Sequence, residues 1–234
     1  AKRYTLSLRK MADFRAKVIE ILNEGMELRI DNSDVWVRFL GKFNAYNLLT
    51  VYGAARLLGF AKEEVLAHLS LLRPVSGRFE TILAKDGTMA IVDFAHTPDA
   101  LENTIRAIED IRREGQRLIV VCGCGGDRDK TKRPVMGGMA AKMADIAIFT
   151  SDNPRTEEPE QILREMEAGV EAGDKYLKIT DRHEAVKTAV MLAERGDIIL
   201  LAGKGHENYQ IIGTEKQPFS DKEVVKGWFE KFGR

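Results

Sequence analysis

The sequence predicts an α/β protein whose larger part is a mostly parallel sheet covered by helices. Three observations predict this fold class. From about residue 88 onward, short apolar segments alternate with longer amphipathic ones, which is the order of strands joined by crossover helices. The apolar segments 144–149 and 198–202 are hydrophobic without alternation, as strands buried on both faces are. The first 72 residues lack this repeat and are therefore predicted to form a separate part.

That first part begins with a hairpin pattern and continues with two helical patterns. Apolar and polar residues alternate on both sides of the polar turn 31–34, which predicts antiparallel strands. Asn44 or a neighbour can then cap a helix whose apolar residues recur at helical spacing. The predicted elements are strands at 26–30 and 35–40 and helices from about 44 to 58 and over 62–72.

A break in the pattern follows at residues 73–78. Proline and glycine occur there with few apolar residues between them, which is typical of a linker. The sequence therefore predicts a hinge that divides the chain into domains of residues 1–72 and 74–234.

The second domain alternates strands and helices to residue 202 and then changes character. The predicted strands are 88–94, 117–122, 145–150, 176–179 and 197–202, and the helices between them are 98–114, 132–143, 158–170 and 182–195. A short edge strand at 209–212 and a closing helix at 221–231 complete the prediction.

Charge and composition exclude several classes of partner. Acidic and basic residues balance at 36 each, so no surface for nucleic acid or an anionic membrane is predicted. No apolar run approaches the roughly 18 residues of a membrane span, and the polar first residues do not resemble a signal peptide, so we expect a cytoplasmic protein. We also expect a monomer. Cys122 and Cys124 have no second Cys/His pair at zinc-site spacing and are interpreted as small buried residues, with no metal site predicted.

Polar residues follow four of the predicted strands at the points where the strands end. Ligands of parallel α/β sheets bind beyond the carboxyl ends of the strands, so we expect these segments to lie on one rim. They are 93–99, 123–134, 152–155 and 203–208. Three of them have a plainer interpretation as well: a helix cap at Thr97 or Asp99, a solvated glycine-rich turn at 123–134, and a structural role for His206.

The third and fourth segments together indicate a site for an amino acid. Asp152-Asn153-Pro154-Arg155 offers an amide, a rigid proline and a guanidinium suited to a carboxylate. Glu207 follows a glycine-rich turn that begins at Gly203 and can accept an ammonium group. An acidic and a basic side chain at neighbouring strand ends fit a zwitterion.

The first two segments indicate sites for anions or a ribose. The segment 123–134 joins glycines to a cationic cluster and suits phosphate or carboxylate. It matches neither a P-loop nor the dinucleotide-binding glycine pattern. Asp93 could hold a ribose hydroxyl or a charged partner.

These four segments in this order, with Asn44 and Asn47 in a Phe-Asn-Ala-Tyr-Asn run, resemble the Mur ligases over nearly the whole chain. The resemblance is strongest to members that add meso-2,6-diaminopimelate to UDP-N-acetylmuramoyl-L-alanyl-D-glutamate. The most specific matches are Asp152 to Arg155, Gly203 to Glu207 and Gly126-Asp127-Arg128-Asp129. The resemblance implies a Rossmann-like C-terminal domain at 74–234, preceded at 1–72 by the late part of a central ATP-binding domain.

The resemblance also implies roles for individual residues. ATP would be contacted by Asn44, Asn47, Arg78 and Asp93. Diaminopimelate would be bound by Arg128, Asn153, Pro154, Arg155, Gly203 and Glu207. The implied reaction is amide ligation through an acyl phosphate of the D-glutamate side chain, with ATP and Mg²⁺ as cofactors.

Three features of the family pattern are not found in this sequence: the P-loop, the Mg²⁺ ligands and the UDP-sugar domain. No P-loop motif occurs in it, and the resemblance places the Mg²⁺ ligands and the UDP-sugar domain outside it. Because phosphoryl transfer depends on positioning phosphates and metal, we expect a fragment that is inactive alone.

Three alternatives remain open from the sequence. The chain could derive from a lysine-adding Mur ligase or a folylpolyglutamate synthase relative. It could instead be a non-catalytic α/β module that binds a carboxylate. The third alternative is a structural domain whose rim charges are solvated.

Overall fold

The computed structural model describes residues 2–22 and 24–234, and the chain forms two compact units. The first unit contains the residues up to Pro74 together with Ala107–Ile111. The second contains Val75–Arg106 and Arg112–Arg234. The main division, between Pro74 and Val75, falls inside the segment in which the sequence breaks its pattern.

The first unit is a four-stranded sheet with two helices. Its elements are β1 (Leu6–Ser7), β2 (Phe14–Leu22), β3 (Gly25–Ile30), β4 (Ser33–Val37), α1 (Lys42–Leu57) and α2 (Lys62–Leu71). The sheet order is β1-β2-β3-β4, with β3 antiparallel to both β2 and β4 and β1 parallel to β2. The predicted hairpin corresponds to β3 and β4, whereas β1 and β2 were not predicted.

Two details of this unit differ from the sequence-based prediction. The pairing of β2 with β3 shifts register between Val18 and Glu20, and such a bulge breaks the period-two pattern that identifies a strand. The N-cap of α1 is Gly41, not Asn44. The Asn44 amide donates instead to the Leu40 carbonyl oxygen at 2.8 Å.

The core of the first unit lies between β3, β4 and the two helices. Met26, Leu28 and Ile30 lie on one face of β3 and are fully buried, as strand periodicity requires. Leu49 of α1 and Leu69 of α2 belong to the same apolar cluster.

The second unit is built around a six-stranded sheet. Its strands are β5 (Glu80–Leu83), β6 (Met89–Asp93), β7 (Leu118–Cys122), β8 (Ile146–Phe149), β9 (Tyr176–Lys178) and β10 (Ile198–Ala202). The helices are α3 (Pro98–Glu109), α4 (Lys132–Met143), α5 (Pro159–Glu167), α6 (Arg182–Leu192) and α7 (Asp221–Lys231). A separate hairpin consists of β11 (Tyr209–Ile212) and β12 (Glu215–Pro218).

The strand order is β5-β6-β10-β7-β8-β9. All neighbours from β6 to β9 are parallel, and only β5 is antiparallel to its neighbour. The mostly parallel α/β fold class predicted from the sequence is therefore confirmed. Because β6, β7, β8 and β10 run in one direction, the segments that follow them emerge at the same edge of the sheet.

The structure corrects several boundaries. Helix α3 ends at Glu109, not at 114, because the chain turns there: the backbone N–H of Ile111 donates to the Ile108 carbonyl at 3.0 Å, three residues back. A second turn, which contains Gly115 at a φ of 85°, follows before β7. Helices α5 and α6 end at Glu167 and Leu192, also earlier than predicted. Strand β11 pairs with β12 in the hairpin and is not an edge strand of the main sheet.

One apolar cluster of the second unit fills the space between the central strands and the helices α6 and α7. Ile199 and Leu201 of β10 are fully buried in it, as are Val186 and Val190 of α6. None of the helices in the described part of the chain combines the length and apolarity needed to span a membrane.

Candidate functional site

A cavity of about 400 Å³ lies at the carboxyl ends of β6, β7, β8 and β10. All four segments that the sequence singled out contribute to its wall. The lining residues include His96, Gly125, Arg128, Asp152, Asn153, Arg155, Gly203 and Glu207. The parallel sheet thus brings together most of the polar residues predicted to bind a small molecule.

Arg155 presents a guanidinium to this cavity. Its backbone has a φ of 53° and is held by the β11–β12 hairpin, since the Arg155 N–H donates to Ile211 and the Gly213 N–H donates to Arg155. Its Nη1 donates to the Gly126 carbonyl at 2.7 Å. Within the described residues, Nε and Nη2 make no hydrogen bond, so that edge of the guanidinium can bind a carboxylate.

The loop before Arg155 approaches the glycine-rich turn so closely that only glycine fits. A Cβ at Gly126 would lie 1.8 Å from the Pro154 carbonyl oxygen, and the Gly126 N–H donates to Asn153 at 2.9 Å. The turn after β7 therefore braces the loop after β8. Pro154 itself is buried and is not among the cavity-lining residues.

On the other side of the cavity, three polar side chains form one hydrogen-bonded group. Lys204 is fully buried, and its Nζ lies 3.1 Å from both Asn153 Oδ1 and Glu207 Oε2. Asn153 Nδ2 also donates to Glu207 Oε2, at 3.0 Å. Glu207 Oε1 makes no hydrogen bond within the described residues. A carboxylate oxygen is thus left for a ligand.

Asp152 supplies a second carboxylate to the cavity wall. The residue is 8% exposed, and its Oδ2 is buried without any hydrogen-bond partner. Burial raises the pKa of this carboxyl, opposed by the charges of Arg182 and Lys204. Because an unpaired buried carboxylate is unfavourable, this oxygen is suited to accept a hydrogen bond from a bound cation.

Gly203 allows this carboxylate to lie where it does. It has a φ of 111°, and a Cβ there would lie 2.7 Å from Asp152 Oδ2. A side chain at position 203 would therefore be strained and would displace the carboxylate.

The cationic turn after β7 is anchored by a buried arginine. Arg133 contacts Glu157 and Glu165 at 2.9 and 2.7 Å, and its Nη2 donates to the Gly125 carbonyl at 3.1 Å. The Arg133 guanidinium holds the pKa of Glu157 well below its usual range. Arg128 is exposed, and its Nη1 has only a long contact, 3.3 Å, with the carbonyl of Asp127. It remains available to an anion.

A buried ion pair lies behind the site. Arg182 and Asp221 are both fully buried and form two hydrogen bonds of 2.8 and 2.7 Å. Arg182 also donates to the carbonyls of Ala202 and Ser151, at 3.0 and 3.4 Å. Ala202 and Ser151 immediately precede Gly203 and Asp152. The Arg182–Asp221 ion pair therefore supports the backbone that carries the site.

The residues predicted to contact ATP are not gathered in this cavity. Asn44 and Asn47 belong to α1 of the first unit, where the Asn47 amide donates to Asn44 at 3.3 Å. The Arg78 guanidinium lies over the Phe94 ring, 4.9 Å from its centroid.

Asp93 is occupied by contacts within the second unit. It accepts from the Phe79 N–H at 2.7 Å and the Thr104 hydroxyl at 3.2 Å, and burial raises the pKa of its carboxyl.

The structure also places the remaining candidates. His206 is exposed and contacts the Phe94 ring, with 5.2 Å between ring centroids. Cys122 and Cys124 are buried free thiols. Among residues 2–22 and 24–234, no group of three or more His, Cys, Asp or Glu side chains is placed to hold a metal ion.

Sequence reasoning did not identify Lys204 as part of the site. Lysine is almost never fully buried unless it is paired, and nothing local in the sequence shows that Asn153 and Glu207 would lie beside it. The only signal was its position between two glycines at a strand end.

Comparisons with known proteins identify the family of the chain. A family model described as Mur ligase, glutamate ligase domain, matches residues 77–205. A UDP-N-acetylmuramoyl-L-alanyl-D-glutamate--2,6-diaminopimelate ligase of Bacteroides thetaiotaomicron is 55% identical over 231 residues, covering 98% of this chain and 48% of the relative. The ligase of the same name from Geobacillus kaustophilus is 44% identical over 234 residues, covering 98% and 47%.

Solved structures show the same relationship. A structure of a ligase with the same name superposes with a TM-score of 0.74 at 36% identity, covering 99% of this chain and 48% of that one. UDP-N-acetylmuramate-alanine ligase from Thermotoga maritima, at 15% identity and a TM-score of 0.64, shares the fold. The chain spans about half the length of the curated relatives it matches.

Proposed function

The chain belongs to the Mur ligase family, and from that membership we propose that it is part of an ATP-dependent ligase that adds meso-2,6-diaminopimelate to UDP-N-acetylmuramoyl-L-alanyl-D-glutamate. The names of the relatives at 44 to 55% identity support this substrate pair. In the proposal, residues 74–234 are the C-terminal domain that binds the amino acid, and residues 1–72 are the late part of the central ATP-binding domain.

The observation that carries the proposal is the pairing of charges in the 400 Å³ cavity. The free edge of the Arg155 guanidinium is complementary to a carboxylate. The unpartnered oxygens of Glu207 and Asp152 are complementary to an ammonium group. Diaminopimelate carries both groups at each end, so the end that does not react can be held by all three side chains.

The residues of this chain then bind and orient the amino acid. Arg155 and Arg128 hold carboxylate oxygens, while Asn153 and Gly203 shape the wall beside Glu207. The other amino group is left to attack the activated D-glutamate side chain. That step forms the amide bond and releases the phosphate that ATP had transferred.

Arg78, Asp93, Asn44 and Asn47 are proposed to contact the nucleotide. Mg²⁺, which would accompany the phosphates, is assigned to no residue here, because the described part of the chain offers no suitable group of ligands.

The same geometry predicts discrimination against lysine. Lysine lacks the far carboxylate, so on binding it would cover Arg155 without pairing it. Because Arg155 is only partly buried, we expect roughly a 10- to 100-fold preference for diaminopimelate, less than a fully buried arginine would give.

Isothermal titration calorimetry tests the proposal. The chain is titrated with meso-diaminopimelate and with L-lysine, and the titrations are repeated with Arg155→Ala. Arg164→Ala is the matched control, since Arg164 contacts Gln161 on α5 and does not line the cavity. We expect binding of diaminopimelate that is lost in Arg155→Ala and kept in Arg164→Ala. Equal affinity for lysine, or binding that survives Arg155→Ala, would contradict the proposal.

A further inference from the structure

We propose that Lys204 is a positioning residue of the amino-acid site. Its buried ammonium fixes the Asn153 carboxamide and the Glu207 carboxylate, so that the second carboxylate oxygen of Glu207 is kept for the ligand. The inference rests on the proposed function, because it concerns how the same cavity recognises its ligand.

The first argument is the environment of the ammonium group. The Lys204 side chain has no exposed surface, and its Nζ has two oxygen partners, Asn153 Oδ1 and Glu207 Oε2, at 3.1 Å each. The Tyr209 ring lies on a third side, with its centroid 6.0 Å away. A buried ammonium without an anionic partner is strongly unfavourable, so Lys204 binds Glu207 whether or not a ligand is present.

The second argument concerns the orientation of Asn153. An ammonium group can only donate hydrogen bonds, so it must face the oxygen of the carboxamide and not the nitrogen. The Ile211 N–H donates to the same oxygen at 2.9 Å. Two donors therefore fix Oδ1, and Nδ2 is directed to Glu207 Oε2 at 3.0 Å.

The third argument concerns Glu207. Its Oε2 accepts from both Lys204 and Asn153, which fixes the carboxylate against rotation. Its Oε1 makes no hydrogen bond within the described residues, and the side chain is 18% exposed at the cavity. Without Lys204, the carboxylate could rotate and Asn153 could turn its amide, so the oxygen that meets the ligand would no longer be held in place.

Lys204→Met tests the assignment, because methionine fills a similar volume without charge. Lys178→Met is the matched control: Lys178 pairs with Glu167 at 2.6 Å, and neither residue lines the cavity. Affinity for meso-diaminopimelate is measured by calorimetry in both variants, in Glu207→Gln and in the double variant Lys204→Met/Glu207→Gln. The side-chain amide signals of Asn153, and the exchange of its protons with water, are followed by NMR without ligand.

We expect Lys204→Met to lower the affinity roughly tenfold or more and to speed amide proton exchange at Asn153, while Lys178→Met changes neither. In the Glu207→Gln background, Lys204→Met should add less than about twofold, because Lys204 acts through Glu207.

Three outcomes would overturn the inference, and they are distinguishable. An unchanged affinity in Lys204→Met, with the wild-type chain binding diaminopimelate, refutes the role of Lys204 and leaves the proposed function intact. Failure of the wild-type chain to bind diaminopimelate refutes the site itself, and the inference with it. A loss of affinity with unchanged Asn153 signals would also refute positioning, since the effect would then not pass through the carboxamide.

Discussion

Replacing Asp221 by asparagine should destabilise the second unit severely. Asp221 and Arg182 are fully buried, with their two hydrogen bonds at 2.8 and 2.7 Å. Asparagine keeps one acceptor oxygen but leaves the guanidinium charge uncompensated in the interior. Breaking a buried pair in this way lowers the free energy of unfolding by about 3–5 kcal/mol.

The assay is urea denaturation followed by the fluorescence of Trp228, which lies on α7, the helix that begins at Asp221. The only other tryptophan is Trp36, so Trp36→Phe serves as the background for all variants. Glu184→Gln is the control, because Glu184 pairs with Lys187 on the surface of α6, and it should leave the denaturation midpoint unchanged.

A second variant isolates the physical cause. Replacing both partners, as Arg182→Met/Asp221→Leu, removes the uncompensated charge and should recover much of the lost stability. Recovery should stay incomplete, because the Ala202 carbonyl loses its guanidinium donor and the Ser151 carbonyl keeps only Gln210 Nε2 at 3.4 Å. A loss of less than about 1 kcal/mol in Asp221→Asn would refute the reasoning, since an interior pair would then behave like a surface pair.

Further predictions concern the cavity, the thiols and the reaction. Asp152→Asn should raise the melting temperature at pH 7 while weakening diaminopimelate binding. Burial raises the pKa of the Asp152 carboxyl, so the wild-type chain loses stability as the pH rises through the folded-state pKa and the buried group ionises. Asparagine cannot ionise, so the difference in melting temperature between variant and wild type should vanish below about pH 4, where the carboxyl is protonated in both the folded and the unfolded chain. Gly126→Ala should abolish calorimetric binding, because the new Cβ would lie 1.8 Å from the Pro154 oxygen. Cys122 and Cys124 should resist iodoacetamide at pH 8 until the chain unfolds, since burial raises the pKa of both thiols, that of Cys124 to about 12. A coupled assay should detect no ADP formation by this chain alone with all three substrates, because it contains no P-loop motif.

The sequence was most informative where burial imposes a simple pattern. Strands such as β10, buried on both faces, appear as continuous apolar runs, and this made the order of strands and helices predictable. The shared rim followed, because parallel strands end at the same edge. The sequence could not show that β10 lies between β6 and β7, since strand order depends on contacts between distant segments.

The elements that were missed lack such a pattern. Strand β2 contains a bulge, and all four residues of β12 are exposed, so neither follows a clear alternation of apolar and polar residues. The contribution of β11 to the site, where its backbone holds Arg155, is likewise a contact between distant segments.

Burial of polar groups was equally hidden from the sequence. Lysine, aspartate and arginine are usually exposed, and it is the surrounding fold that makes Lys204, Asp152 and Arg182 interior residues. The roles of the individual site residues, in ATP as in amino-acid binding, stay predictions.

Direct observation of bound meso-diaminopimelate tests the central claim most closely. A crystal structure of the chain with this ligand, or an NMR titration that maps shifted amides, would locate it. The account predicts the far carboxylate against the Arg155 guanidinium and the neighbouring ammonium against Glu207 and Asp152, with NMR shifts confined to the four segments at the strand ends. A ligand found elsewhere, for example in the groove that Trp228 and Pro218 line, or no shift at these segments, would contradict it.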